Sequence, residues 1–465
     1  MRALFIRTSK YSGENHPENV RAPLDIGYSA AIYQNGSHEA KVLDMKAEKA
    51  SREDISELLE NYEPDQVFLK TQTQCINVAE DISGMALDSG VDKVFYFGQH
   101  PSVSPETFLK DSGDKEFCIR GEIEAVLSDL VSGEGKMNSP EEVEGVVSEE
   151  EGIKSSVTRI VKDLDSLPFP EHSGFLNERY GDILPMGINH SKARYGYIVT
   201  SRGCPYDCIY CSPTLRISYG KDMRFRSPES VVDEIEMLVE KGVNVIVFKD
   251  DIFTISEDHV IGICDEIIER GIDVPWFAQT RADTLSEEVL KKMKDAGCRL
   301  VGIGVESGSS RILELLRKGE TKEDVREAFR AARKVGINTV GFFMLGNPTE
   351  TEEEMEMTRK FCRELQPDMI QVAFFTPYPG SEAYNMYSDR MDADFKSFHH
   401  YNTVTYNPSK VSTERLSWLQ KKFYLSFVFS AGYWKNLFRR KLENPLDFSN
   451  EKKYFRRGLN FIFGN

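Results

Sequence analysis

Three cysteines fall within eight residues of one another, in the segment Ser201-Arg202-Gly203-Cys204-Pro205-Tyr206-Asp207-Cys208-Ile209-Tyr210-Cys211. Their spacing is C-x3-C-x2-C. A loop so spaced can wrap the thiolates of Cys204, Cys208 and Cys211 around three corners of a cubane iron–sulfur cluster and leave the fourth iron without a protein ligand. That open iron gives such a loop its chemical use. A zinc site would want a fourth Cys or His close by, and Cys264, Cys298 and Cys362 fall in predicted strand–helix units elsewhere. With Cys75 and Cys118 they are scattered through apolar patterns, as core or strand-end thiols are.

The elements around the loop follow a βα rhythm. Residues 1–135 hold strand patterns at Ala3 to Arg7, Glu39 to Met45, Gln66 to Thr71, Lys93 to Gly98 and Glu116 to Gly121, with amphipathic helical stretches between them. Five such units predict a doubly wound, Rossmann-like parallel sheet whose ligands bind beyond the carboxyl ends of the strands. No G-x-G-x-x-G follows the first strand, which argues against a dinucleotide. Residues 136–190 break the rhythm with an acidic stretch from Glu141 to Glu151 and then Leu167-Pro168-Phe169-Pro170, and read as a hairpin and linker. In residues 191–385 the rhythm resumes, with strands near Tyr197 to Thr200, Val243 to Lys249, Trp276 to Thr280, Leu300 to Val305, Thr339 to Leu345 and Met369 to Phe374. Six parallel strands with crossover helices predict a partial, TIM-like barrel that works at its strand ends. Ser227 and Pro228 mark a helix start. The cysteine loop directly follows the first barrel strand.

The chain has 465 residues and a net charge of -17, so it is expected to form several domains and to repel polyanions; no nucleic-acid partner is expected. No stretch reaches the ~18 uncharged apolar residues of a spanning helix. The expected location is cytoplasmic, where eight cysteines do not make a disulfide framework.

With Tyr210 as the aromatic of a C-x3-C-x-aromatic-C motif, the segment resembles the radical S-adenosylmethionine (SAM) superfamily. The resemblance implies a [4Fe-4S] cluster on Cys204, Cys208 and Cys211, SAM chelated to the fourth iron, and an electron donor such as flavodoxin or ferredoxin. Further strand ends carry it. Phe248-Lys249-Asp250-Asp251 is similar to the acidic motif of the cobalamin-associated branch; Gly304-Val305-Glu306-Ser307-Gly308 and Leu345-Gly346-Asn347-Pro348-Thr349-Glu350 resemble the methionine- or ribose-side and adenine-side turns. Tyr210, Asp250, Asp251, Gln279, Arg281, Glu306, Ser307, Gly346 and Pro348 are thereby the expected SAM contacts. As plain structure, Asp250 and Asp251 would cap a helix, Glu306 would form a salt bridge, and Gly346 to Glu350 would be a turn.

The order of a doubly wound domain, a Leu-Pro-Phe-Pro linker and a barrel resembles the cobalamin-binding radical SAM proteins over residues 1 to 385. The matching stretches are Ala22-Pro23-Leu24-Asp25-Ile26-Gly27-Tyr28, Gly98-Gln99-His100-Pro101 and Arg120-Gly121-Glu122-Ile123-Glu124, with Gln99 where the family usually has a second glycine. This implies cobalamin near Thr71, Thr73, Gly98, His100, Gly121 and Glu122. No D-x-H-x-x-G announces a lower cobalt ligand. The family reading is a cobalamin-dependent methyltransferase acting on an unactivated carbon of a small or apolar, lipid-like substrate. Cyclisation, oxidation or carbon–carbon joining is the alternative. A methylthiotransferase would need three N-terminal cysteines, where only Cys75 and Cys118 exist.

Residues 386–465 form a helical extension of another composition. From Arg415 onward there are eleven Lys and Arg against three Asp and Glu, interleaved with Trp418, Phe423, Tyr424, Phe427, Phe429, Tyr433, Trp434, Phe438, Tyr454, Phe455, Phe461 and Phe463. Such a segment suits either a peripheral membrane contact or a helix packing its rings on the barrel.

Overall fold

The computed structural model describes residues 1–11, 20–110, 113–132, 136–149, 158–181, 192–211, 217–391, 395–401 and 403–443. Glu150, Glu151 and the aromatics from Tyr454 to Phe463 lie outside them.

The first domain is the expected α/β sheet. Strands β1 (Arg2–Arg7), β2 (Glu39–Asp44), β3 (Gln66–Lys70), β4 (Lys93–Phe97) and β5 (Glu116–Ile119) are parallel in the order 2-1-3-4-5. A short strand β6 (Val146–Val147) adds an antiparallel edge beside β5, so the sheet extends past residue 135. A small ladder pairs Val131–Ser132 with Lys136–Met137. The register aligns Phe5, Phe68, Phe95 and Phe117, whose rings stack across four strands at 4.7, 4.7 and 5.3 Å. Such same-face aromatic neighbours stabilise a sheet beyond their buried area and pin its register.

The helix Leu24–Asn35 has no apolar stripe. Its buried residues, Leu24, Ile26, Gly27, Tyr28, Ser29, Ala30, Ile32 and Tyr33, point all round it, the mark of a helix enclosed on every side. One hydrophobic cluster joins its Ile26 and Tyr28 to Phe5 and Phe68 of the first sheet and to Tyr197, Val247, Phe277 and Leu300 of the second. The linker closes on the same helix: Glu171 N donates to Gly27 O at 2.9 Å, and a Cβ at Gly27 would stand 3.0 Å from Pro170 Cβ.

The second sheet contains β7 (Tyr195–Ile198), β8 (Val245–Phe248), β9 (Trp276–Thr280), β10 (Cys298–Glu306), β11 (Asn338–Leu345) and β12 (Met369–Phe374), all parallel and in sequential order. This is the partial barrel. Ser227 caps the helix Pro228–Glu240 as expected, its hydroxyl accepting from Ser230 N at 3.2 Å.

Beyond β12 the chain doubles back over both domains. Phe395 packs edge-on against His100 at 5.3 Å, and Phe374 N donates to His400 O at 2.6 Å. The helix Thr413–Val428 then buries Leu416, Leu419, Phe423 and Phe427 in the barrel core. The next helix, Ala431–Glu443, does not bury all its rings. Trp434, Phe438 and Leu442, spaced four apart on one face, are 41%, 58% and 87% exposed. No helix among the described residues is long and apolar enough to cross a membrane.

Candidate active site

The cysteine loop leaves the barrel through a two-residue ladder, Ser201–Arg202 against Arg224–Phe225. Gly203 turns it with φ +103, and a Cβ there would lie 2.4 Å from Asp222 O, so only glycine fits. Cys204 is buried and Cys208 and Cys211 are half-buried. Burial pushes the Cys208 and Cys211 thiols up, and Cys208 and Cys204 push Cys211 further. Among the described residues no three Cys, His, Asp or Glu side chains stand close enough for a single metal ion. Three thiols on one loop suit a polynuclear centre better than a lone zinc, which wants a fourth ligand.

Two devices hold the loop. Asp250 is buried and accepts from Thr200 N (3.1 Å), Thr200 Oγ1 (2.8 Å), Ser201 N (2.5 Å) and Ser201 Oγ (2.6 Å). Its carboxylate therefore anchors the start of the loop. Arg281 lies over the Tyr206 ring at 3.5 Å, paired with Asp283 (2.8 Å) and Glu320 (3.5 Å). It too clamps the loop. Asp250→Ala leaves these buried donors without an acceptor; we expect it to cost roughly 1.5–3 kcal/mol and to lower the iron and sulfide bound per chain, measured after anaerobic reconstitution.

The residues left facing the cavity are fewer than the sequence suggested. Asp251 is reached by solvent yet surrounded by protein; burial and then Asp250 raise its carboxyl to about 7. Glu306 ends β10 in a left-handed conformation, φ +59, where a non-glycine residue marks local strain. Among the described residues its ion pair is with Lys318 Nζ, at 3.4 Å. Tyr210 lies within electrostatic reach of Glu306, Cys208 and Cys211, and burial pushes its hydroxyl up. Gln279 is half-buried on β9. Ser307 is turned away, its hydroxyl 3.2 Å from Thr358 Oγ1. Gly346 faces the Leu416 side chain, 2.7 Å from where a Cβ would lie, so it admits the extension helix there. Pro348 is buried in its turn.

The sequence reading missed Lys318 and Glu320. Lys318 is 5% exposed and sits between Glu306 and Glu320 (3.5 Å); burial opposes its charge, but the two glutamates outweigh it and hold its pKa up. The available signal was Arg317-Lys318-Gly319-Glu320, a charged run following a helix of only six residues.

The crevice of the first domain departs further from expectation. His100 is fully buried and satisfied, with Nδ1 3.3 Å from Thr73 Oγ1 and Nε2 3.1 Å from Thr107 Oγ1; burial drops its pKa to about 4. Both its ring nitrogens have partners, and Thr73 supplies one of them. Thr71 is buried and donates to Leu69 O at 3.2 Å. Gly121 makes room for Arg159 O, 2.1 Å from a Cβ there. Glu122 points across the domain boundary, accepting from Arg202 (3.0 Å), Arg224 (2.6 Å) and Val161 N (2.9 Å), while Glu124 takes the other Arg202 nitrogen at 2.8 Å. Only Gly98, half-exposed at the end of β4, stays open to the crevice.

The returning segment lies beside both domains. The Tyr401 hydroxyl lies within electrostatic reach of Arg21 from the first domain and Glu306 from the second.

A profile of the radical SAM superfamily matches residues 198–362. The chain is 31% identical over 413 residues to an uncharacterized methyltransferase of Pyrococcus horikoshii, spanning 87% of each. It is 28% identical over 418 residues to the anaerobic magnesium-protoporphyrin IX monomethyl ester cyclase of Cereibacter sphaeroides, spanning 87% of this chain and 66% of that one. The radical SAM methyltransferase TsrM of Kitasatospora setae, solved with cobalamin and a [4Fe-4S] cluster bound, superposes with a TM-score of 0.66 at 19% identity, over 84% of this chain and 76% of that one.

Proposed function

This chain belongs to the radical SAM superfamily, and we propose that within it the protein is a cobalamin-dependent methyltransferase acting on an unactivated carbon. It is a radical SAM enzyme, with a [4Fe-4S] cluster and SAM as its cofactors and a reductant as its requirement. The observation that carries the methyltransferase reading is that the carboxyl end of the first sheet abuts the cysteine loop: Glu122 and Glu124, just past β5, bind Arg202, two residues before Cys204. The likeness to a methyltransferase over 87% of both chains supports it.

When bound, the cluster supplies the electron that splits SAM to a 5'-deoxyadenosyl radical, and the corrinoid supplies a methyl carrier. The residues bind and orient. Cys204, Cys208 and Cys211 would hold the cluster; Asp250 and Arg281 fix their loop; Asp251 and Glu306 offer carboxylates for the SAM ammonium or hydroxyls; Lys318 offers a cation for its carboxylate. For the corrinoid, Gly98 is the position of the expected set that would admit it, while both ring nitrogens of His100 already have threonine partners.

Anaerobic protein reconstituted with iron, sulfide and cobalamin should release both 5'-deoxyadenosine and S-adenosylhomocysteine when given SAM, reductant and an extract of a deletion strain. 5'-Deoxyadenosine without S-adenosylhomocysteine would favour the alternative of cyclisation, oxidation or carbon–carbon joining, which the cyclase relative supports.

The extension supports a peripheral membrane contact. The exposed stripe Trp434, Phe438 and Leu442, with Phe429 71% exposed beside it, lies in the segment where the charge balance reverses to basic. Rings at the headgroup boundary, each basic neighbour adding about 1 kcal/mol near an anionic surface, give such binding. Protein carrying Trp434→Ser, Phe438→Ser and Leu442→Ser should lose co-sedimentation with anionic vesicles at low salt. Equal sedimentation of variant and parent would remove the contact.

A further inference from the structure

Two buried cations are held against the cysteine loop, and one carboxylate answers both. Arg281 lies on the ring of Tyr206, which stands between Cys204 and Cys208, at 3.5 Å. Lys318 follows Leu316, whose carbonyl accepts from Ile209 N, between Cys208 and Cys211, at 3.2 Å. The Glu320 carboxylate stands 3.5 Å from Arg281 Nε through Oε1 and 3.5 Å from Lys318 Nζ through Oε2. Its Oε1 also accepts from Ala282 N at 2.8 Å, and its Oε2 makes no hydrogen bond among the described residues. Gly319 turns the chain between Lys318 and Glu320 with φ +77 and lies against Arg281, a Cβ there standing 3.8 Å from Nη2.

Each cation has a second carboxylate, Asp283 for Arg281 at 2.8 Å and Glu306 for Lys318 at 3.4 Å. Those two are reached by solvent. The Asp283 side chain is 25% exposed and that of Glu306 14%, against 1% for Glu320. A charge deep in the protein is little screened, so Glu320 weighs most on its surroundings. Its surroundings include the cysteine loop. The potential of an iron–sulfur cluster depends on the charge around it, and uncompensated positive charge raises it. A sulfonium is hard to reduce, so cleavage of SAM needs an electron at low potential. Arg281 clamps the loop and Lys318 offers SAM a cation, yet both charges work against that electron.

We propose that Glu320 sets the reduction potential of the cluster, its buried negative charge offsetting Arg281 and Lys318 so that the potential stays low. It is a positioning residue, acting through charge and through the two cations it holds. The proposal rests on the reading that Cys204, Cys208 and Cys211 bind the cluster.

Full-length protein, reconstituted anaerobically and kept free of SAM, is poised with dithionite over a range of ambient potentials, and the reduced cluster is read by electron paramagnetic resonance. Glu320→Gln keeps the shape and an acceptor for Ala282 N while removing the charge. At the parent's midpoint its ratio of reduced to oxidised cluster should be about tenfold higher, a shift of ~59 mV for one electron. Lys318→Gln should move the ratio the opposite way, the double variant should return toward the parent, and Glu320→Asp, which keeps the charge, should stay near it. A role confined to holding the fold would lower the iron bound per chain and leave the midpoint of the remaining cluster where it was. With a parent that holds its cluster, a midpoint that Glu320→Gln leaves unmoved or lowers overturns the proposal alone. Should Glu320→Gln bind too little cluster to titrate, the double variant decides: a midpoint no higher than that of Lys318→Gln overturns it. A parent without a cluster removes the cysteine-loop reading, and the proposal with it.

Discussion

The triple variant Cys204→Ala, Cys208→Ala, Cys211→Ala is expected to hold no iron–sulfur cluster and to release no 5'-deoxyadenosine from SAM. The other five cysteines cannot substitute. Cys75, Cys118, Cys264, Cys298 and Cys362 are all buried, and burial pushes Cys264 up to about 12 and Cys118 well above the ordinary thiol range. An inert thiol in an apolar core is a poor metal ligand. Iron and sulfide analysis with electron paramagnetic resonance of the reduced protein reads the outcome directly. Parent protein should show one cluster per chain, and a triple variant that retained a full cluster would place the chemistry elsewhere.

The second large effect is expected at Glu122. Arg202 is 6% exposed and Arg224 9%, and their guanidinium groups share this one carboxylate, with Glu124 as the second acceptor of Arg202. Both Glu122 and Glu124 hold Arg202 firmly charged against burial. Glu122→Ala therefore leaves buried positive charge uncompensated, which typically costs about 3–5 kcal/mol. Arg202 immediately precedes Gly203 and Cys204, so the damage should also reach the cluster loop. Urea unfolding gives the first quantity, and cluster content at a urea concentration where the variant remains folded gives the second. A loss under ~1 kcal/mol would put this set with exposed ion pairs, whose removal hardly matters.

These two sites mark how far the sequence could be read. The cysteine loop is contiguous, so its spacing alone carries its chemistry. The strands were also legible, because apolar runs such as Lys93–Phe97 and Met369–Phe374 leave little choice of element. Long-range side-chain directions were not. Asp250 and Asp251 are adjacent, yet one secures the loop through four hydrogen bonds and the other stands exposed within electrostatic reach of Cys211, and nothing in the dipeptide says which. Glu122 looks like a strand-end ligand until Arg202, 80 residues away, claims it. Ser307 and Gly346 match turn motifs, but the packing of Thr358 and Leu416 consumes both. Lys318 was hidden for the converse reason: a lysine reads as solvated surface, and only its two glutamate partners, Glu306 and the buried Glu320, make it part of an interior.

The helix Leu24–Asn35, buried on every face between the two sheets, has a kinetic meaning. With its side chains interlocked on both sides there is no greased joint about which one half of the molecule could swing. Turnover is then expected to proceed with the two sheets held together, small molecules moving past fixed walls, and not by one domain ferrying a group from one station to another.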